Sequence, residues 1–320
     1  MESLELIATG GAVPKHPVHN NDLAKIMDTS DEWIFSRTGI HSRYFCEGDE
    51  TVTALAAEAA RQAMERAGIT SDEVGCLVAA TCSGDYATPA ESCLVQRALG
   101  LPDDIPVTDV NAACSGFIYA AEVARGFLQE SEKPYALVVG AEQISRFLDM
   151  TDRSTAVLFG DGAGAAVFRR TPASLYHHVL GAAGGLEINV PGAASGKPEK
   201  VSMDGKAVFR FATRAMRRSI ESLMEQSGKT FDDVDWVICH QANSRIIDHV
   251  VRRMNAPAEK FFEDMDRFGN TSGASVPLAL NDMNEQHLLS PGQTLLLIGF
   301  GSGLTWGGLM LKCAPDFRAE

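Results

Sequence analysis

The chain has 320 residues, 45% of them hydrophobic and 22% charged, which suits a globular protein with a sizeable core and needs no covalent staples. Its 28 basic and 42 acidic residues leave a formal charge of −14, which disfavours nucleic acid and anionic membrane as partners of the surface as a whole. No apolar run approaches the roughly 18 residues of a spanning helix, and the start, Met1 to Leu6, lacks the basic and apolar regions of a signal peptide, so a cytoplasmic protein is expected. In chain order, helical periodicity is expected over Thr51–Ala67, a strand near Gly75–Thr81 and another near Ile105–Val110. A helix over Cys114–Glu130 and a strand near Tyr135–Gly140 follow. Gly181–Lys206, rich in Gly, Ala and Pro, reads as a long loop. Beyond it lie a helix over Val208–Gln226, a strand over Val234–Cys239, helices over Ser244–Met254 and Ser275–Glu285, and between these two and the C-terminus a strand over Thr294–Ile298. Alternating helices and continuous apolar strands argue for an α/β protein with buried sheets.

The two halves resemble each other. Aligning Gly68 with Gly228 also pairs Thr70 with Thr230, Asp72 with Asp232 and Val74 with Val234, an offset of 160 residues. Ala113-Cys114-Ser115-Gly116 pairs with Thr271-Ser272-Gly273-Ala274, and the glycine-rich Leu158–Val167 with Leu297–Met310, each read as a hairpin. The boundary is expected near residue 172, giving halves of 1–171 and 172–320. The seven cysteines form no Cys-x-x-Cys pair, so neither a disulfide framework nor a structural zinc site is expected.

Cys114 follows a strand and a short turn and opens a helix of small residues. Unpaired N–H groups and the helix dipole there favour thiolate, against a free pKa of about 8.5. A nucleophile and a buried packing cysteine both fit this pattern. His240 stands at a strand's carboxyl end, where α/β proteins place ligands, although a structural histidine reads the same way. Asn270 precedes another small-residue helix. Cys, His and Asn together suit thiol chemistry on acyl groups. Gly160-x-Gly162-x-Gly164 and Gly299-x-Gly301-x-Gly303 lack the spacing of a nucleotide loop and read as points of close backbone approach. Lys206, Arg210, Arg214, Arg217 and Arg218 lie without an acid between them, and Arg245, Arg252 and Arg253 follow. This is a local basic face suited to an acidic partner. Trp33 and Arg37 suit a flat base and a phosphate.

Several motifs together resemble the β-ketoacyl-acyl carrier protein synthase III family: Asp31-Glu32-Trp33-Ile34 with Arg37-Thr38-Gly39-Ile40, Ala112-Ala113-Cys114-Ser115-Gly116-Phe117, Gly160–Ala165, His240-Gln241-Ala242-Asn243, Gly269-Asn270-Thr271-Ser272 and Phe300-Gly301-Ser302-Gly303. The resemblance runs from about Leu6 to Leu311. It implies a thiolase-like duplicated αβαβα five-layer sandwich, with the nucleophile Cys in the first half and His and Asn in the second, and a homodimer. It implies condensation of an acyl-CoA primer with malonyl-acyl carrier protein, with no metal or redox cofactor. By the same resemblance Cys114, His240 and Asn270 are catalytic, and the N–H groups of Cys114 and Ser302 form the oxyanion hole. Trp33, Arg37, Arg153, Gly205, Phe209, Ala242, Asn243 and Ile246 receive coenzyme A, with Trp33 and Arg153 flanking the adenine and Arg37 on the phosphates. Arg210, Arg245, Arg252 and Arg253 receive the carrier protein. Members that use acetyl primers resemble one another in a Phe where this chain has Thr88, capping the partner's acyl pocket, so Thr88 implies longer or branched primers. A specialised condensing relative making a quinolone, polyketide or ester product is the alternative, and a cysteine hydrolase would share the Cys-His-Asn set.

Overall fold

The computed structural model describes residues 2–172 and 174–318; Met1, Ala173 and Ala319–Glu320 lie outside it. Ten strands form one hydrogen-bonded sheet system. The first five are β1 (Ser3–Ala12), β2 (Val74–Ala80), β3 (Val107–Val110), β4 (Tyr135–Glu142) and β5 (Gly162–Thr171). The second five are β6 (His177–Ala182), β7 (Trp236–Cys239), β8 (Phe261–Phe262), β9 (Thr294–Gly301) and β10 (Thr305–Cys313). The first set runs β3-β2-β4-β5-β1 and the second β8-β7-β9-β10-β6. Counted within each set, both orders read 3-2-4-5-1. Both have parallel pairing among the first three positions and antiparallel pairing in the rest. A short parallel contact, Glu5 with Lys312 and Leu6 with Cys313, joins β1 to β10.

The main helices are α1 (Asp31–Thr38), α2 (Val52–Ala67), α3 (Glu91–Leu99), α4 (Gly116–Gln129), α5 (Gly205–Ser227), α6 (Ser244–Met254) and α7 (Ser275–Glu285). Helix α2 packs on β1, β4 and β5; α4 and α7 touch strands of both sets; α5 packs on β9 and β10. The layers are therefore α, β, α, β, α, as expected. Strand alternation sorts the core. Leu295 and Leu297 of β9 face the middle layer with Phe117, Ile118, Val276 and Leu280, while Leu296 and Ile298 face α5 with Met216, Ile220 and Leu223. On the far side, Ile7, Leu77 and Val139 meet Ala56, Ala59, Ala60 and Ala63 of α2. The alanines let α2 lie close: a β-carbon at Gly10 would collide with the Ala59 carbonyl. Strands buried on both faces explain the continuous apolar runs.

The repeat is visible in its capping chemistry. α2 and α5 end at Gly68 and Gly228, both left-handed, at φ 66° and 67°. Thr70 and Thr230 then cap 3₁₀ turns through boxes closed by Glu73 and Asp233. Further along, the offset drops by one residue. The 3₁₀ turns Ala113–Ser115 and Ser272–Ala274 precede α4 and α7, and their first residues, Ala113 and Ser272, share positive φ values of 46° and 51°. Ala113 thus matches Ser272, and Cys114 matches Gly273, correcting the expected pairing of Cys114 with Ser272. Two other expectations change. Helix α4 begins at Gly116, after the Cys114 turn. Leu158–Val167 forms no hairpin: Phe159 bridges to Asn270 and β5 starts at Gly162. The loop Gly181–Lys206 is not featureless either, because Ile188–Asn189 pairs with Ser202–Met203.

Candidate active site

Cys114, His240 and Asn270 come from three segments that meet at one cavity of about 320 Å³. All eight residues expected to hold coenzyme A line it too: Trp33, Arg37, Arg153, Gly205, Phe209, Ala242, Asn243 and Ile246. A second cavity, about 350 Å³, shares Cys114, Phe159 and Ile188 with the first and continues to Ile144, Phe147 and Val190. Cys114 therefore stands between two chambers. Ser302 lines the second.

The turn carrying Cys114 is pinned from the second half. Ser115 Oγ donates to Thr305 Oγ1 at 2.8 Å, and Thr305 Oγ1 donates to the Ala112 and Ser302 carbonyls at 3.0 and 2.8 Å. A single hydroxyl proton is shared between those two acceptors. The contact holds the Ser302 loop against the cysteine turn, and the N–H groups of Cys114 and Ser302 both reach the Cys114 sulfur. Ser302's own hydroxyl turns away, donating to the Ile188 carbonyl at 2.6 Å. Cys114 lies at the edge of the core, 7% exposed. Burial pushes its thiol up to about 11, and the charge of Glu142 adds to this, while contact with the Ser272 hydroxyl and the two N–H groups opposes it. The thiolate expected from a helix N-terminus is thus not the resting form. Desolvation outweighs the dipole, and the α-helix starts two residues later.

His240 follows β7, and its N–H donates to the Ile298 carbonyl at 2.7 Å. Its Nδ1 lies 2.7 Å from Ser275 Oγ, and the Phe300 ring meets it edge-on at 5.2 Å. Burial holds its pKa at about 3, so the ring is neutral at physiological pH. Asn270 sits in a loop fixed by backbone bonds to Leu158 and Gly160. Its Oδ1 accepts from the Ser272 N–H at 2.9 Å, which leaves its two amide N–H donors for the cavity.

At the mouth, the guanidinium carbons of Arg37 and Arg153 lie 4.5 and 5.0 Å from the Trp33 ring centroid. Arg153 is tied to Asp28 at 3.1 Å. Trp33 therefore starts out stacked with arginine rather than open to a base. Arg210, Arg245, Arg252 and Arg253 are exposed on α5 and α6, which pack together, and Arg245 also donates to the Ser36 carbonyl at 2.8 Å. Thr88 is exposed on the loop after β2 and lines neither cavity of the single chain. Sequence reasoning missed Ser275, which orients His240, and the pair Ser272 and Glu142 beneath Cys114. Ser272 stood inside a recognised motif, but Glu142 ends an apolar strand with no local signal.

Comparison with known proteins now decides the family. The sequence model described as 3-Oxoacyl-[acyl-carrier-protein (ACP)] synthase III matches residues 108–184, and that of its C-terminal region matches 224–313. The beta-ketoacyl-[acyl-carrier-protein] synthase III of Clostridium acetobutylicum is 41% identical, covering 98% of this chain and 99% of its own. The chain belongs to the 3-oxoacyl-[acyl-carrier-protein] synthase III family. Among solved members of the synthase III family, the Aquifex aeolicus structure superposes with a TM-score of 0.91 at 38% identity, covering 97% of this chain and 99% of that one. A priming β-ketosynthase from the R1128 polyketide biosynthetic pathway superposes with a TM-score of 0.92 at 34% identity, covering 98% and 97%. As a synthase III, the protein is an acyl-transferring condensing enzyme. Among its described residues, no helix is long and apolar enough to cross a membrane.

Proposed function

We propose that this synthase III condenses an acyl-CoA primer with malonyl-acyl carrier protein, releasing coenzyme A and CO2 and giving a 3-oxoacyl-carrier protein that initiates fatty acid synthesis. The observation that carries this reading is the position of Cys114, between a tunnel lined by all the expected coenzyme A residues and a second chamber. A thioester entering through the first places its carbonyl at the sulfur and its acyl chain in the second. Cys114 attacks that carbonyl. The oxyanion forms where the N–H groups of Cys114 and Ser302 converge, a term worth about 3–4 kcal/mol per donor.

After coenzyme A leaves, the malonyl thioester takes its place. A Ser275 hydroxyl donating to Nδ1 leaves the His240 proton on Nε2, toward the cavity. His240 and Asn270 then both donate to the thioester oxygen as CO2 departs and an enolate develops. A neutral imidazole is suited to this, since it stabilises the negative charge without protonating the carbanion. The carbanion attacks the acyl-Cys114 carbonyl. Arg210, Arg245, Arg252 and Arg253 receive the acidic carrier protein at the tunnel mouth, with Trp33, Arg37 and Arg153 on the nucleotide. A base enters by displacing Arg153 from the Trp33 ring. Acyl-CoA is a substrate, and the chemistry calls for no resident cofactor. A homodimer, with Thr88 capping the partner's acyl chamber, and a cytoplasmic location complete the reading. The likeness to a polyketide-priming synthase supports a second reading, in which the same condensation primes a specialised pathway.

The test is intact mass after incubation with acyl-CoAs of graded length. Wild type gains one acyl adduct, Cys114→Ala gains none, and malonyl-acyl carrier protein discharges the adduct. An enzyme that takes no acyl group from any acyl-CoA would remove the primer assignment.

A further inference from the structure

Glu142 is fully buried at the end of β4, directly beneath the cysteine turn. It forms no ion pair among the described residues. Its partners are all neutral donors: the Ser83 hydroxyl, the Cys82 N–H at 3.1 Å and thiol at 3.4 Å, Thr81 Oγ1 at 3.3 Å, Ser272 Oγ at 3.0 Å and the Gly273 N–H at 3.3 Å. A carboxylate held out of water without a cation is costly and invites a chemical explanation. One of its donors supplies it. Ser272 Oγ donates to Glu142 Oε1 and, from the other side, accepts from Cys114 Sγ at 3.5 Å. Sulfur, hydroxyl and carboxylate form a continuous chain with every proton pointing toward Glu142.

We propose that Glu142 is the proton acceptor that activates Cys114, acting through Ser272. Ser272 touches the reacting sulfur; Glu142 is a positioning and proton-holding residue behind it. This rests on Cys114 being the nucleophile. As the Cys114 sulfur forms its bond to the thioester carbon, its proton passes to Ser272 Oγ and the Ser272 proton passes to Glu142 Oε1. The C–S bond to coenzyme A breaks, its electron pair leaves on the coenzyme A sulfur, and that sulfur takes a proton from solvent. Glu142 stays protonated while the acyl group is in place. When the condensation expels Cys114 as thiolate, the borrowed proton returns through Ser272. The cycle then consumes one solvent proton per turnover, as release of CO2 from a carboxylate requires.

Two physical points favour this acceptor. Moving the proton to Glu142 relocates one negative charge within the buried site, from carboxylate to sulfur, where two N–H groups await it. Moving it to His240 would create a new cation in an apolar setting, and burial there already resists protonation. Burial also raises the Glu142 carboxyl, which makes it a stronger proton acceptor than a free carboxylate. Cys82, the other titratable group against Glu142, is itself held as a thiol by burial.

The test follows Cys114 modification by iodoacetamide between pH 6 and 9, and by butyryl-CoA in rapid-quench mass measurements at pH 7. Glu142→Gln and Ser272→Ala are each expected to slow both reactions at pH 7 by about 10²-fold. Their iodoacetamide rates should rise about tenfold per pH unit, as solvent hydroxide takes over, while the wild-type profile is flatter. The double variant should be no slower than either single one, because the two groups act as one unit. Acyl-enzyme already formed should be discharged by malonyl-acyl carrier protein within a few-fold of the wild-type rate, whereas a general distortion of the site slows both halves. Should Glu142→Gln not fold, Ser272→Ala alone decides, since it cuts the chain and keeps the carboxylate. A Ser272→Ala enzyme with the wild-type rate and pH profile overturns the relay. A butyryl adduct that persists in Cys114→Ala removes the nucleophile and the relay with it.

Discussion

A β-carbon on Gly301 would lie 2.7 Å from Cys114 Cβ and 2.8 Å from its backbone nitrogen. Gly301→Ala must therefore shift the cysteine turn and spoil the paired N–H groups, and acylation measured by mass should fall about 10²- to 10³-fold with the fold intact by circular dichroism. His240 carries a second prediction. Its folded pKa, about 3, lies below the unfolded value of about 6.5. Between these values the unfolded chain binds the extra proton, so its contribution is complete above pH 6.5 and is lost as pH falls toward 3. Urea unfolding of wild type and His240→Gln should show wild type losing about 2 kcal/mol relative to the variant between pH 6.5 and 5. Equal pH dependence in both would refute the buried neutral imidazole. At this scale Cys114 and His240 were legible as residue types following apolar strands, and Asn270 as one preceding a small-residue helix. The protonation state of Cys114 was not, because burial by distant segments outweighs the local dipole. Glu142 was invisible for the same reason, its partners lying 59 to 131 residues away.

Helices α5 and α6 present the basic face. Replacing Arg210, Arg252 and Arg253 by Glu should raise KM for malonyl-acyl carrier protein at least tenfold, with a weaker salt dependence than wild type, since these charges steer an acidic partner. Self-acylation by acyl-CoA is the internal comparison, because these side chains do not line the tunnel. The boundaries of α6 and α7 follow the apolar periodicity to the residue. Those of α4 do not, because the turn before it belongs to the site: Ala113 at φ 46° throws the chain into a 3₁₀ turn that no propensity foretells. The glycine-rich segments were read correctly as places of close approach, but only one is a hairpin. Gly160 and Gly269 instead let the loop of Asn270 lie against Phe159.

Across the whole molecule, the duplication was legible because caps and turns repeat with the strands. The meeting of the two halves at one site was not, since sequence similarity says that units match and not how they face. Sedimentation should give a dimer, and Thr88→Phe should shift the acyl-CoA preference toward shorter chains without changing the rate with the shortest. An unchanged preference would place Thr88 away from the acyl chamber. The shared 3-2-4-5-1 order has one more consequence. β4 and β9 correspond residue for residue, so Glu142 occupies in one half the place that Gly301 occupies in the other, and Cys114 answers to Gly273. Each strand end abuts the opposite turn, Gly301 against Cys114 and Glu142 against Gly273. The chain thus holds one corner in two copies, one with a glycine that leaves room beside a sulfur and one with an acid against a glycine. The positive φ common to Ala113 and Ser272 is then a property of the shared scaffold and not of the sulfur, and the sulfur-free copy serves as a reference for the other inside the same molecule.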